Sequence, residues 1–219
     1  MNKKIILSFV FLSILCSLNA KKPDILLLTT SEQAYDNDIS AAVLRSAYQK
    51  IGIDIKIEYY PSLRSLDMSN SGKSDGEVHR VKGIETKYTN LICINSPVQY
   101  LDICVFSKNR NLKITSWDQV GNYKASYIRG IILSEQKLGK FNLQTENNQN
   151  DLIKQLENNR YDIIVTSRLS GIYSIKENGY KDIYMISTLD SVPLYHYLNK
   201  KHADIVDSRD KINRIPVNF

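Results

Sequence analysis

Ser69-Asn70-Ser71-Gly72-Lys73-Ser74-Asp75-Gly76-Glu77-Val78 and Leu156-Glu157-Asn158-Asn159-Arg160-Tyr161-Asp162-Ile163-Ile164-Val165 follow one plan. Each ends a helical apolar pattern (Leu63, Leu66 and Met68; then Leu152, Ile153 and Leu156) and opens a strand-like run. Gly72 and Asn159 stand where a helix gives way, and both residue types tolerate the left-handed backbone found after a helix C-terminus. A cation follows, Lys73 or Arg160, suited to the negative end of the helix dipole. Two residues later an Asp, Asp75 or Asp162, precedes the strand. Helix-to-strand turns in any α/β protein draw on the same few residue types, so convergence is one reading. The other is two lobes of similar build with a cleft between them.

Working outward, Ile25-Leu26-Leu27-Leu28 is a continuous apolar run, as expected for a strand covered on both faces. Thr29, Thr30 and Ser31 follow at its C-terminal end, where open α/β sheets place ligands. Asp36, Asn37 or Asp38 suits the cap of the next helix, with Ile39, Ala42, Val43, Ala47 and Ile51 as its expected apolar face and Gly52 ending it. Ile53, Ile55, Ile57 and Tyr59 alternate with Asp54, Lys56 and Glu58, a strand pattern, and Pro61 opens the helix that stops at Gly72. Strand, helix, strand, helix, strand makes a parallel unit with right-handed crossovers. Residues 91–106 read as two strands parted by Pro97, the first passage between lobes. The second unit runs through strands at 124–128, 142–145, 162–166 and 182–186, with helices at 131–138, 151–158 and 167–178. The chain therefore divides into a leader at 1–20, a first lobe at 21–100, a second at 101–186, and a return with a tail at 187–219.

The 219 residues suffice for two small lobes, each with a core. Met1-Asn2-Lys3-Lys4, the apolar run from Ile5 to Leu15 and the small residue Ala20 describe a secretory signal peptide, with cleavage expected after Ala20. The apolar run is shorter than the ~18 residues a spanning helix needs. Leu15 before Cys16 argues against lipidation, and an unanchored binding protein is retained near the cell by an outer membrane, so a periplasm is expected. Loss of Lys3 and Lys4 leaves 27 basic and 23 acidic residues, a charge of +4 with no cationic block of the kind that grips nucleic acid. Cys93 and Cys104 remain, as a disulfide or as two free thiols.

The chemistry expected of the chain is binding. At Ser126-Tyr127-Ile128-Arg129-Gly130-Ile131 a strand gives way to a helix, so N–H groups near Gly130 and Ile131 face an anion and Arg129 adds a planar fork. Arg80 is a second anion-binding candidate, with His79 on the opposite face. His79, His196 and His202 have no metal-ligand spacing, and the chain has no Gly-rich phosphate loop or nucleophile elbow. No cofactor is implied.

The chain resembles the family 3 extracellular solute-binding proteins, the periplasmic amino-acid-receptor type. The likeness rests on Leu63-Arg64-Ser65-Leu66, on Gly72 to Val81, on Gly83-Ile84-Glu85-Thr86-Lys87-Tyr88-Thr89-Asn90-Leu91, on Ser116-Trp117-Asp118, on Tyr127 to Ile131 and on Pro193-Leu194-Tyr195-His196-Tyr197-Leu198. It implies a type II periplasmic-binding-protein fold: two α/β lobes, two hinge crossings and closure around a solute. Counting from Asp75, Lys87 falls where such receptors place the arginine that holds a carboxylate. Counting from Asp162, Ser167 falls where they place the aspartate that holds an ammonium. The chain is thus expected to be a monomeric binding protein that captures a small carboxylate-bearing solute for ABC-type uptake. Arg129, Gly130, Ile131, Arg80, Lys87, Thr30, Tyr35 and Ser167 are the expected contacts, and a membrane permease or sensor the expected partner. A sensor on the same fold is the alternative. A dehydratase-like enzyme, with Glu77 or Glu85 as its acid, is a third.

Overall fold

The computed structural model describes residues 23–31, 35–129 and 131–207. The expectations for the leader, Cys16, Gly130 and the tail from 208 lie outside the described residues.

Three parallel strands form one end of the sheet: β1 (Ile25–Thr30) between β2 (Asp54–Tyr59) and β3 (Gly76–Val81), joined through α1 (Tyr35–Gln49) and α2 (Ser62–Asn70). Three more form the other end: β5 (Ala125–Ile128) between β6 (Gln144–Glu146) and β7 (Ile163–Ser167). Around these lie α3 (Trp117–Val120), α4 (Ile132–Leu138), α5 (Gln149–Glu157) and α6 (Arg168–Glu177). Two long antiparallel strands, β4 (Leu91–Ser107) and β8 (Tyr184–Asn199), join the ends, and α7 (Ala203–Asp207) follows. The strand order is β2-β1-β3-β8-β4-β7-β5-β6. Lobe I is built on β1–β3 and lobe II on β5–β7, with β4 and β8 passing through both.

Each lobe has its own core. Leu26, Leu28, Leu44, Tyr48, Val78 and Leu198 pack together in lobe I. In lobe II the alternation of β4 divides its side chains between two faces. Ile103 and Val105 join Leu138, Ile163 and Val165, while Cys104 and Phe106 join Leu152, Leu156 and Ile164.

Three expectations need correction. The strands read as two segments around Pro97 are one strand, β4. Pro97 has no N–H to give the ladder, and the pairing of β4 with β8 shifts register on both sides of it. The strand expected to end at Ile186 continues as β8 to Asn199, past Pro193. The buried face of α1 is Ser40, Ala41, Leu44, Ala47 and Tyr48, whereas Ala42 is exposed. Polar Ser40 belongs to that face because it meets partners inside the protein, which apolar periodicity cannot show. Cys93 and Cys104 are free thiols. Eleven residues apart on one extended strand, they are separated by roughly 35 Å, far beyond a disulfide's reach.

Gly72 (φ 77°) and Asn159 (φ 58°) both adopt the left-handed conformation, after α2 in lobe I and α5 in lobe II. Gly52 and Gly179 do the same after α1 and α6. The turn is therefore how four of the described helices end.

Candidate functional site

The lobes meet where the N-terminus of α1 faces the N-terminus of α6. The Asp36 carboxylate, on the first turn of α1, leaves its own helix and crosses to the other lobe. The hydroxyls of Ser167 and Ser170 both donate to its Oδ2 at 2.5 Å. Gln99 Nε2, on the hinge strand β4, donates to Oδ1 at 3.3 Å. Asp36 is 7% exposed, and among the described residues no cation pairs with it. Its charge is met instead by hydroxyl donors and by the positive end of α6, while its place in α1 also suits that helix's own dipole.

The first turn of α6 is held from three sides. Ser167 caps the helix, its Oγ accepting from the Ser170 N–H at 3.1 Å. Arg168 donates to Asp102 of β4 at 2.9 Å and to Thr188 of β8 at 3.0 Å, which ties the helix start to both hinge strands. Gly171 lets the helix lie close on β4, since a Cβ there would come within 2.4 Å of the Phe106 ring. Beside this cluster Tyr35 of α1 stacks on Tyr173 of α6, ring centroids 4.3 Å apart and planes 11° from parallel.

Hydrogen bonds continue from Asp36 into lobe I. Ser40 donates to Gln99 Oε1 at 2.9 Å, which leaves His79 Nδ1, 2.6 Å away, as the donor to Ser40. The series His79, Ser40, Gln99, Asp36 thus runs one way, toward the carboxylate. Burial, helped by the charge of Arg80 and by His196, pushes His79 down to about 3, so the ring is neutral at ordinary pH. His196 lies in the same interior, donating from Nδ1 to the Glu77 carbonyl and accepting from the Tyr48 hydroxyl at 2.8 Å. Burial lowers it to about 4, against the opposing effect of its backbone partners.

Two of the expected contacts, Tyr35 and Ser167, come together at this junction. Thr30 ends β1 in the interior, its Oγ1 without a hydrogen-bond partner among the described residues. Thr29 faces α2 through Ser65, so alternation turns Thr30 toward the α1 side. Arg80 is taken up inside lobe I: Nε pairs with Glu77 at 2.9 Å and Nη1 donates to Ser62 at 3.0 Å. Strict alternation would put residues 77 and 80 on opposite faces. A register shift of β3 against β8 between them brings both to the α2 side. Lys87 is exposed, over the Tyr88 ring. Arg129 turns toward β6, its Nε donating to Thr145 at 3.2 Å. It lines an open depression of about 390 Å³ with Leu143, Gln144, Glu146, Arg160 and Tyr161. Ile131 stands in extended conformation before α4.

Of the two carboxylates considered as an acid, one is buried and the other half-buried. Glu77 is fully buried, bonded to Ser65, Ser69, Thr29 and Arg80. Burial raises its pKa, opposed mainly by Arg80. For Glu85 burial is outweighed by backbone N–H groups and the Tyr197 hydroxyl, which hold it below the usual range. Among the described residues no group of three or more His, Cys, Asp or Glu could hold a metal ion. Asp36, Ser170, Gln99 and Ser40 are the residues that sequence reading missed. Asp36 stood out only as a helix cap.

No protein-family model matches the chain. An uncharacterized protein of Shewanella oneidensis is 30% identical over 169 residues, which cover 74% of this chain. The chain spans 64% of that relative's length. Among solved structures, a histidine kinase sensor domain with similarity to periplasmic binding proteins aligns with a TM-score of 0.69 at 14% identity, over 87% of this chain and 89% of that one. The VFT2 domain of Bordetella pertussis BvgS, as a double mutant, gives 0.67 at 14% identity over 89% of both chains. A glycine-to-alanine mutant of arginine-bound ArgBP from T. maritima gives 0.66 at 13% identity, over 87% of this chain and 95% of that one. At such identities the likeness is one of fold. Two α/β lobes, the parallel strands within each and the paired long crossings between them give this chain the type II periplasmic-binding-protein fold.

Proposed function

We propose that this chain is an extracytoplasmic binding domain that takes a small carboxylate-bearing solute between its lobes and acts by closing, with no covalent chemistry. The lobes we assign are residues 21–100 with the return at 187–219, and residues 101–186. One observation carries the reading of the solute. The N-terminus of α6 already receives a carboxylate, that of Asp36, through two hydroxyl donors at the lobe junction. A solute carboxylate suits the same donors and the same helix dipole. Thr30, Tyr35 and Ser167 stand nearest to it in our assignment. Arg129 and Ile131, at the neighbouring strand end of lobe II, and Arg80 and Lys87 in lobe I are further contacts that depend on how the solute lies. Delivery to an ABC-type permease is the use we assign.

The likeness to a histidine kinase sensor domain and to BvgS VFT2 favours a second use of the same binding event, signalling to a membrane partner. Native mass spectrometry of freshly purified protein should show a co-purified small acid. Thermal shift with that acid and its methyl ester should show stabilisation by the acid alone. Equal stabilisation by the ester sinks the carboxylate reading. Crosslinking in cells separates the uses, since a permease subunit supports uptake and a kinase supports signalling.

A further inference from the structure

The Asp36 contact has a consequence for the cleft that rests on the proposed binding reading. The carboxylate belongs to lobe I, whereas Ser167 and Ser170, two of its three side-chain donors among the described residues, belong to lobe II, so these bonds exist only while the lobes are together. The third, Gln99, lies on the strand about which the lobes would move. Tyr35 stacks on Tyr173 across the same junction, and Arg168 anchors the receiving helix to the hinge strands. The 10-residue α6 turns its positive end to a carboxylate that is 7% exposed and has no cation among the described residues. Parting the lobes exposes that carboxylate to water and frees both serine hydroxyls.

We propose that Asp36, Ser167 and Ser170 form a lobe-to-lobe latch, in which a carboxylate of the chain itself holds the cleft shut and must leave α6 before a solute carboxylate can take its donors. Asp36 is then a built-in competitor for the site. It sets the fraction of molecules ready to bind, and apparent affinity falls in proportion to that fraction. A hydrogen bond to a charged group is strong enough to shift a two-state balance by about tenfold or more.

The test uses the full chain, unfolded and refolded to strip any solute, as wild type, D36A, D36N and S170A. Solution X-ray scattering reads lobe separation without any solute, so it judges the latch even if the carboxylate reading fails. Wild type should match the radius of gyration of the closed structure. D36A should be larger, with the closed-to-open ratio lowered about tenfold or more. S170A should fall between them, and D36N, which keeps an acceptor but loses the charge, should lie closer to D36A. Thermal melts confirm that each variant is folded. An open wild type, or a D36A protein as closed as wild type, overturns the latch. With the co-purified acid, D36A should associate faster than wild type, and an unchanged or slower rate in an opened D36A overturns the competitor role.

Discussion

In lobe I the Asp75 carboxylate accepts the Leu27 N–H at 2.7 Å, while the Asp75 N–H donates to the Leu27 carbonyl at 2.6 Å. In lobe II Asp162 makes the same two bonds with Lys124, at 3.0 and 2.8 Å. Each Asp closes the start of a parallel strand pair, β1 with β3 and β5 with β7, so the backbone plan of the lobes is shared. The side chains around that plan are not. Asp75 is also paired with Lys201 and bonded to His202, both at 2.7 Å, whereas Asp162 is exposed. Helix α2 is joined to β3 through Ser65, Ser69 and the buried Glu77–Arg80 pair, but α5 packs through Leu152, Ile153 and Leu156. Both buried histidines lie in lobe I as well. One backbone plan thus carries a titratable interior in one lobe and an apolar helix seat in the other.

The largest expected effect of that difference is on pH dependence. His79 and His196 have folded pKa values of about 3 and about 4, below their ordinary 6.5. Below pH 6.5 the unfolded chain therefore binds protons that the folded chain refuses, and stability falls as pH falls. For the two histidines together the loss amounts to about 4 kcal/mol between pH 8 and pH 5. Glu77, raised by burial, acts in the opposite sense: its ionised form disfavours the fold, and that cost is relieved only at lower pH. Hydrogen exchange at the two pH values should show β1 and β3 losing protection first. The one tryptophan, Trp117, should report lobe II intact by fluorescence under the same conditions. Equal loss in both lobes breaks the comparison.

Next come the helix seats. Arg80→Ala leaves Glu77 buried without its cation and should cost about 3–5 kcal/mol near neutral pH, a cost that shrinks toward acid as Glu77 takes a proton. Leu156→Ala in the matching helix should cost about 2–5 kcal/mol with no such pH dependence, because it leaves a cavity and no charge. Urea unfolding of both variants at two pH values decides it. A flat pH response in Arg80→Ala would mean that Glu77 finds other compensation.

The paired aspartates should differ by less. Asp75→Ala leaves the Leu27 N–H without its partner and should cost about 1–3 kcal/mol, Asp162→Ala about 1 kcal/mol. Despite partial burial, Asp75 is held below its ordinary 3.8 by Lys201, His202 and the Leu27 N–H. Its contribution is therefore complete above pH 3.8 and lost as pH falls through the lower folded value. Denaturant titration at pH 7 and pH 3 should show the two variants drawing together in acid.

The strands and helices were legible in sequence because apolar periodicity and Gly or Asn stops survive local reading. Gly72 and Asn159 do lie in different lobes, but Gly52 and Gly179 end two more helices alike, so the turn marks a helix end and not a lobe. The shared feature with more content was the Asp, whose bond to a neighbouring strand no local pattern reveals. Pro97 read as a break but sits inside β4, and the strand expected at 182–186 runs on through Pro193 as β8. At the site, Ser167 was reached through the family resemblance, by counting from Asp162. Asp36 was not, because its partners lie 131 and 134 residues away. The pairing of Arg80 with Glu77 depends on one irregularity in β3, which a strict two-residue period cannot anticipate.

The smallest effect tests whether the two turns are equivalent. An added Cβ at Gly72 would find nothing closer than the Asn199 side chain at 3.8 Å, so space does not forbid a larger residue there. Its φ of 77° does disfavour one. Gly72→Val should therefore destabilise by about 1–2 kcal/mol through the backbone alone, a β-branched residue being poorly suited to the left-handed region. Gly72→Asn should recover most of that, since Asn tolerates this conformation and Asn159 already occupies it at φ 58°. The reciprocal Asn159→Gly should stay within about 0.5 kcal/mol of wild type: relief at positive φ is offset by the greater freedom of glycine in the unfolded chain. Chemical denaturation of the three variants checks the set. If Gly72→Asn costs as much as Gly72→Val, the first turn needs glycine for a reason other than its φ, and the two turns share a shape without sharing a cause.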